Sequence, residues 1–386
     1  MLHDVVIVGA GPVGATLALA LAGNDLDVVA LDARAPGTAV RGDRSLALSH
    51  GARLIFERLG VWSDVAAAPG AVTAITAVDV SQRDGFGAAR LEAREQGVPA
   101  LGYVLSYRAL QAALDAALSR AGASVEHGVA ATRVEPTPAY VRVGGEREGS
   151  RHEWTARVAA IADGGGDLVA GSSRHRHDYG QVAVVAKLWV AEPHGGVAFE
   201  RFTPEGPMAL LPEDDHYGLV WTTTPTHGEQ LLSMPDGEFL AALPARFGTR
   251  VGGFLRCSDR RMFPLTLEFA RHVAAPRTVL LGNAAQALHP VAGQGFNLGV
   301  RDAYELAQAL LSSDREAIGS AASLASYARR RLADRWTGIA FTHGLLGVFG
   351  NDNALLRWPR GLALTLVDAV PPLKRIFTRA MLYGLH

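Results

Sequence analysis

The sequence predicts an α/β fold in which a Rossmann-like dinucleotide-binding domain carries a second domain built on an antiparallel sheet, with helices at the C-terminal end. Three observations predict it. A strand, glycine turn, helix and second strand occupy residues 4–32, alternating apolar strands fill 182–261, and a glycine-rich, nearly uncharged loop joins a strand to a helix near residue 290. The 386 residues, 48% hydrophobic and 19% charged, can bury a substantial core and suggest two domains more readily than one.

Residues 4–9, DVVIVG, are a β-branched run followed at once by Gly9, Gly11 and Gly14 and an alanine- and leucine-rich stretch to Gly23. This reads as strand, tight turn and helix; residues 27–31 are the next strand, ended by Asp32, eighteen positions after Gly14. Such a unit suits a dinucleotide. Its glycines let a pyrophosphate sit at the helix N-terminus, where free N–H groups and the helix dipole favour negative charge, and the carboxylate can meet a ribose hydroxyl. A signal sequence or membrane span over 5–22 is argued against by the glycines, by Pro12 and by the missing basic segment before it.

Residues 44–48 and the helical pattern 52–59 continue this half, whereas 73–92 reads as strands and turns of another character. A helix is expected over 107–121 and strands near Val125, at 140–143 and at 158–161, the last running into Asp163 and Gly164. From Val182 to about Arg261 the chain alternates, is rich in Val, Trp, Phe and Thr, and carries turn signals at 204–206 and 213–215, which suggests an antiparallel sheet walling a substrate site. The expected division is 1–72, 99–181 and 266–345 for dinucleotide binding, 73–98 and 182–265 for the substrate domain, and 346–386 for C-terminal helices.

Residues 279–282 read as a buried strand feeding the glycine loop within LLGNAAQALHPVAGQGFNLGVRD (280–302), and helices dominate from Val300. Gly282, Gly293, Gly295 and Gly299 let the main chain approach a ligand, Pro290 stiffens the path, and Gln294 and Asn297 offer donors and acceptors to ring heteroatoms. Any one of these glycines alone would be an ordinary turn.

Composition narrows the function further. A net charge of -1 gives no electrostatic case for nucleic acid. Cys257 is the only cysteine, so neither an intramolecular disulfide nor a cysteine-based metal site is available, and a cytoplasmic location fits. Histidines 152, 175, 177, 194, 216 and 272 lack metal-ligand spacing, and no metal is expected. His50 is expected to cap or pack a helix, and Trp154, Trp189 and Trp221 to be sheet and core residues, although Trp221 could face a pocket. Arg174 and Arg176 read as a solvated turn. His289, beside Pro290, is read as a loop histidine at least as readily as a base. Residues 355–385 mix apolar side chains with Arg357, Arg360, Lys374, Arg375 and Arg379, and Pro371 and Pro372 split them into two helices. That segment could lie on an anionic membrane or pack on the body of the protein.

The order of GAGPVG at the start, an arginine at 108 on a helix, Asp163-Gly164 and GNAAQALHPVAGQGFNLGVRD resembles the para-hydroxybenzoate hydroxylase class of FAD-dependent aromatic monooxygenases. RSLALSHGARLIFERLG and the wording of the second motif look specifically like the ubiquinone-biosynthesis hydroxylases acting on polyprenylated phenols. The resemblance runs the length of the chain. It implies FAD, NADPH or NADH as donor, dioxygen, and ring hydroxylation through a flavin C4a-hydroperoxide, with peripheral contact to the inner membrane or to other ubiquinone-synthesis proteins.

By the same resemblance Gly9, Gly11 and Gly14 hold the pyrophosphate, Asp32 the adenosine ribose and Arg108 phosphate oxygens, with Asp163 near the pyrophosphate and ribityl chain. Gly282 and Asn283 would contact the ribityl hydroxyls. Pro290, Gly293, Gln294, Gly295 and Asn297 would frame the isoalloxazine, Arg44 would approach the flavin, and Pro290, Gly295 and Phe296 would lie nearest the reacting ring. Two departures stand out: Asn283 replaces the aspartate of the wider class, and Asp167 stands where a serine or threonine often follows Asp-Gly, which leaves the electron donor open. The W-x-W-x-I-P signature of flavin halogenases is absent, as are the second nucleotide fingerprint and cysteine pair of disulfide reductases. A reductase or epoxidase of another apolar substrate, or a flavin-bound non-catalytic subunit, would share the same motifs.

Overall fold

Val5, Val6 and Ile7 are wholly buried, which places strand β1 (Leu2–Val8) inside a sheet covered on both faces. The computed structural model describes residues 1–38, 44–68, 70–83, 85–165, 168–169, 173–290, 293–349 and 354–384, so Asp167 lies outside the described residues. In the first sheet Thr278–Leu280, Ser150–Ile161, β1, β2 (Val28–Asp32) and Ser124–His127 run parallel in that order. Helix α1 (Pro12–Leu21) starts on Pro12, whose fixed φ and missing N–H suit a first helical turn, and it is buried along nearly its whole length.

The close packing of this unit depends on glycine. A Cβ on Gly14 would stand 1.8 Å from the Gly9 carbonyl oxygen, and one on Gly9, at φ +97°, 2.6 Å from the Ala162 oxygen. Val13 fits between Gly282 and Gly299, so the start of α1 lies directly against the second glycine motif.

The second sheet has nine strands and crosses the first-half and second-half sequence. Its main path runs Gln286–Ala287, Arg261–Ala270, Arg174–Val190, His216–Thr223, Gly206–Glu213, Val197–Thr203, Ala77–Gln82 and Ala88–Glu92. Two helices, Pro225–Ser233 and Asp236–Phe247, interrupt the stretch that the sequence reads as continuous antiparallel sheet. Thr224 caps the first, accepting from the His227 N–H at 3.4 Å, and Pro225 opens it. Both helices cover the back of the sheet, where Leu231, Phe239, Leu243 and Phe247 pack on Val184, Leu210 and Trp221.

Two further boundaries differ from expectation. Arg174 and Arg176 are not in a solvated turn but open a seventeen-residue strand, because residues 174–177 pair antiparallel with 267–270, far away in sequence. The helix after the glycine loop starts at Gln294 rather than Val300 and runs to Leu311; the low helix propensity of Gly295 and Gly299 hides its start, which tertiary contacts hold.

That helix is tied to the long helix Ala321–Phe349 by buried charges. Arg331 reaches Asp302 at 2.7 Å and Asp334 at 2.5 Å, Arg301 reaches Asp334 at 3.0 Å, and Gln286 donates to Asp302 at 2.9 Å. The closing Arg301-Asp302 of the motif therefore belongs to a structural network. No described helix is long and apolar enough to cross a membrane.

Candidate functional site

Two hollows meet at the segment from Gly282 to Asn297. The first is a groove of about 400 Å³ at the C-terminal edge of the parallel sheet. Its floor is the turn from Gly9 to Val13, its sides are Asp32, Arg34, Arg44 and Tyr107, and its far end is Asp163, Gly282, Asn283 and Phe296. Helix α1 begins here with Gly11 as its N-cap, no side-chain cap and no acidic residue in its first turn. Its N-terminus is thereby left for an anion.

The groove fits a dinucleotide on its own geometry. Gly11 is the only glycine of the turn whose added Cβ would meet open space, its nearest neighbour being the Tyr107 hydroxyl at 3.8 Å, so the missing side chain leaves room on the groove side rather than inside the protein. FAD would be held with its pyrophosphate at Gly9, Gly11 and the start of α1, its ribose toward Asp32 and its ribityl chain along Asp163, Gly282 and Asn283.

Asp32 does not stand alone in that groove. Its carboxylate takes the Arg34 Nε at 2.9 Å, and Arg34 also donates to Asp115 at 3.1 Å and to the Ala10 carbonyl at 3.4 Å. Gln111 donates to the same Ala10 oxygen at 3.0 Å, bracing the phosphate-side turn from behind. Arg44 lies over the Tyr107 ring at 4.7 Å, a cation–π contact that holds a guanidinium at the groove rim. Arg108 is exposed on the next position of that helix and is not among the groove-lining residues. Sequence reasoning missed Arg34, Tyr107 and Gln111; the one available signal was an arginine two residues beyond the strand-end carboxylate.

The second hollow is a cavity of about 340 Å³ between the large sheet and the C-terminal helices. The sheet contributes Val80, Ala209, Leu211 and Val220, and the helices contribute Phe341, Phe349, Leu364, Val367, Phe377 and Met381. Pro290, Gly293, Gln294 and Asn297 form the end facing the groove. Phe296 points the other way and lines the groove, while Trp221 packs in the core behind the sheet, leaving Val220 and Thr222 on the cavity side. Gly295 sits between, its missing Cβ facing Leu288 at 3.6 Å.

Local chemistry fixes this shared segment. Gly293 adopts φ +59°, a left-handed conformation suited to glycine, and caps the helix Gln294–Leu311, which has no acidic residue in its first turn. Asn297 accepts from the Ser49 N–H at 2.8 Å and donates to the carbonyls of Ala47 at 3.0 Å and Gly293 at 2.8 Å. Both of its N–H groups are thus taken by backbone, and what it gives a ligand is the position of the loop. Arg174 does the same from outside, donating to the carbonyls of Ala284 at 2.7 Å and Asn283 at 3.2 Å. His50 is the first residue of its helix, packed edge-on against Tyr383, and the cap is supplied by Ser49.

His289 lies buried at the edge of the cavity, its ring edge-on to Tyr179 at 5.5 Å. Burial pushes its pKa down to about 4, so it is neutral at pH 7 and a poor proton acceptor there. The unfolded chain binds a proton at this side chain near pH 6.5 and the native one only near 4. Its contribution to stability is therefore in place above pH 6.5 and is lost as pH falls toward 4, by about 3 kcal/mol at 1.4 kcal/mol per pH unit. Urea unfolding of wild type and His289→Gln between pH 7.5 and 4.5 is expected to show the steeper loss in wild type. Parallel curves would mean that His289 is not the group responsible.

Comparisons with known proteins agree with this geometry. The model of a family described as FAD binding domain matches residues 3–342. The chain is 33% identical over 385 residues to the ubiquinone hydroxylase UbiL of Rhodospirillum rubrum, an alignment covering 97% of this chain and 88% of that protein. It is 30% identical over 403 residues to the 3-demethoxyubiquinol 3-hydroxylase of Escherichia coli, covering 99% and 98%. Among solved structures, the p-nitrophenol 4-monooxygenase PnpA from Pseudomonas putida DLL-E4 superimposes with a TM-score of 0.74 at 16% identity over 99% of this chain and 98% of that one, a likeness of fold.

Proposed function

Because the chain belongs to the FAD binding domain family and is an FAD-dependent monooxygenase, we propose that it hydroxylates the aromatic ring of a polyprenylated phenol in ubiquinone biosynthesis. The observation that carries the reading is the apolar cavity ending on the same loop as the dinucleotide groove. Bound FAD would take electrons from NADPH or NADH and activate dioxygen, one oxygen atom replacing a ring hydrogen and the other leaving as water.

The protein's own share is enclosure, orientation and charge. Leu211, Val220, Phe341 and Phe377 give the cavity an apolar lining that disfavours water beside the reacting ring. Ser49, Glu200, Thr222, Gln294 and Thr378 are a small polar set in an apolar wall, which orients a ring bearing one or two oxygens. The start of the helix Gln294–Leu311, which has no side-chain cap and no acidic residue in its first turn, favours negative charge that develops beside it. We keep Pro290, which lines the cavity, as the candidate nearest the reacting ring, with Gly295 and Phe296 on the same loop and Phe296 on the groove side, and we keep the division of the chain given above into dinucleotide-binding and substrate segments as part of this reading. A cytoplasmic enzyme touching the membrane or other proteins of the pathway only peripherally belongs to the same reading.

Filling the cavity separates the two ligands. Ala209 faces it from the strand between Glu200 and Val220. Ala209→Trp is expected to keep its FAD while phenol binding weakens at least tenfold, read as lost acceleration of NADPH oxidation by added phenol; unchanged binding would place the substrate elsewhere. In cells, quinone extracts analysed by mass spectrometry test the function directly. One under-hydroxylated polyprenylphenol accumulating without the gene and disappearing on complementation is the expected result, and an unchanged quinone profile in a strain with no related hydroxylase would overturn it.

A further inference from the structure

The two C-terminal helices present different faces to the two sides of the cavity wall. In Ala354–Ala369, Leu364 and Val367 line the cavity, and Phe377, Met381 and Leu382 do so from Pro371–Tyr383. The opposite side is apolar as well: Trp358 is 73% exposed, and Leu362, Leu366, Leu373 and Ile376 are all exposed. Trp358, Leu362 and Leu366 recur every four residues, which makes one stripe along the helix. Phe86 extends it, its ring 5.0 Å from Trp358.

A stripe of this size is not explained by packing, since it is the outer surface of helices whose inner surface is already buried. Charge identifies what covers it. Arg375 and Arg379 are exposed on the second helix, while the neighbouring acids are engaged: Asp368 and Glu95 both bind Lys374 at 3.1 Å, and Asp368 also accepts from the Arg90 N–H at 3.1 Å. An apolar stripe beside exposed arginines fits an anionic lipid surface better than an acidic or neutral protein face.

The cavity gives the second argument. At about 340 Å³ it stands at the small end of the ~300–1,000 Å³ range of ligand sites, enough for a ring and the start of a tail but not for a long polyprenyl chain. Resting on the substrate reading above, we propose that the stripe of Trp358, Leu362, Leu366, Leu373 and Ile376 docks on an anionic bilayer, so that the helices forming the cavity wall separate the flavin site from the lipid in which the rest of the tail stays.

Deleting the helices would be uninformative, because it would also remove the cavity wall. Point changes on the outer stripe are not subject to this objection. FAD-loaded wild type is expected to float with phosphatidylglycerol-containing vesicles and poorly with pure phosphatidylcholine, with a blue shift of tryptophan emission that Trp358→Phe diminishes. Leu362→Glu with Leu366→Glu should lower vesicle binding at least tenfold while FAD content and turnover of a short-tailed, water-soluble phenol stay unchanged. The proposal is overturned if wild type binds neither vesicle, if the double variant binds as well as wild type, or if light scattering shows a soluble oligomer that the double variant dissolves, which would make the stripe a protein interface. Turnover of the soluble phenol is read separately, so its loss in wild type would count against the substrate reading and not against docking.

Discussion

Gly14→Ala is expected to abolish both folding and FAD binding, whereas Gly11→Ala is expected to weaken FAD binding alone. The difference lies in where each methyl group would go. At Gly14 it meets the Gly9 carbonyl oxygen at 1.8 Å, backbone against backbone, so relief requires α1 to leave its strand. Overpacking of ordinary side chains costs about 1–3 kcal/mol, and a rigid backbone clash lies at or above the top of that range. At Gly11 the nearest described neighbour beyond the adjoining residues is the Tyr107 hydroxyl at 3.8 Å, and the methyl group projects into the groove where a pyrophosphate would sit. FAD affinity of Gly11→Ala should fall at least tenfold, about 1.4 kcal/mol, with an unchanged urea midpoint for the FAD-free protein. Titration of FAD by flavin fluorescence together with urea unfolding checks both; a Gly11→Ala protein that keeps full affinity would show that the pyrophosphate does not lie against this turn.

The second large effect is expected at Arg331, far from either hollow. Its guanidinium is 2% exposed and faces two carboxylates, Asp302 and Asp334, which in turn hold Gln286 and Arg301. Burial alone would lower the pKa of this arginine, and the two carboxylates more than reverse that and hold it charged. Arg331→Met removes the guanidinium that Asp302 holds at 2.7 Å, while Arg301 stays on Asp334, a loss of about 3–5 kcal/mol for a broken buried pair. Arg331→Lys is expected to restore only part of it, because an ammonium cannot reach both acids as a planar fork does. The urea midpoint measures this directly, and a shift below about 1 kcal/mol would mean that the network is dispensable.

The sequence made the first groove legible because its elements are local: a β-branched strand, glycines at fixed spacing and a carboxylate at the end of the next strand all lie within residues 4–32. The cavity was not legible in the same way. Its wall joins Val80, Ala209, Phe349 and Met381, side chains brought together only by tertiary folding. The first turn of the loop helix was hidden by Gly295 and Gly299, whose low helix propensity is overridden by the Asn297 bonds to Ala47 and Ser49. Arg174 was unreadable for the same reason, since its partners are carbonyl groups more than a hundred residues away. Asp302 could be seen only as the end of a motif, its partner Arg331 lying on a helix with no comparable signature.

Residues 282–290 and 293–297 lie between the groove and the cavity: Gly282, Asn283 and Phe296 line the first, and His289, Pro290, Gly293, Gln294 and Asn297 the second. One segment therefore carries contacts to both hollows, and a shift of it moves both walls at once. A side chain added at Gly282 would press on Val13, which lines the groove, and one added at Gly293 on Ala47, which lines the cavity, so a change of packing in this one segment is felt in both hollows.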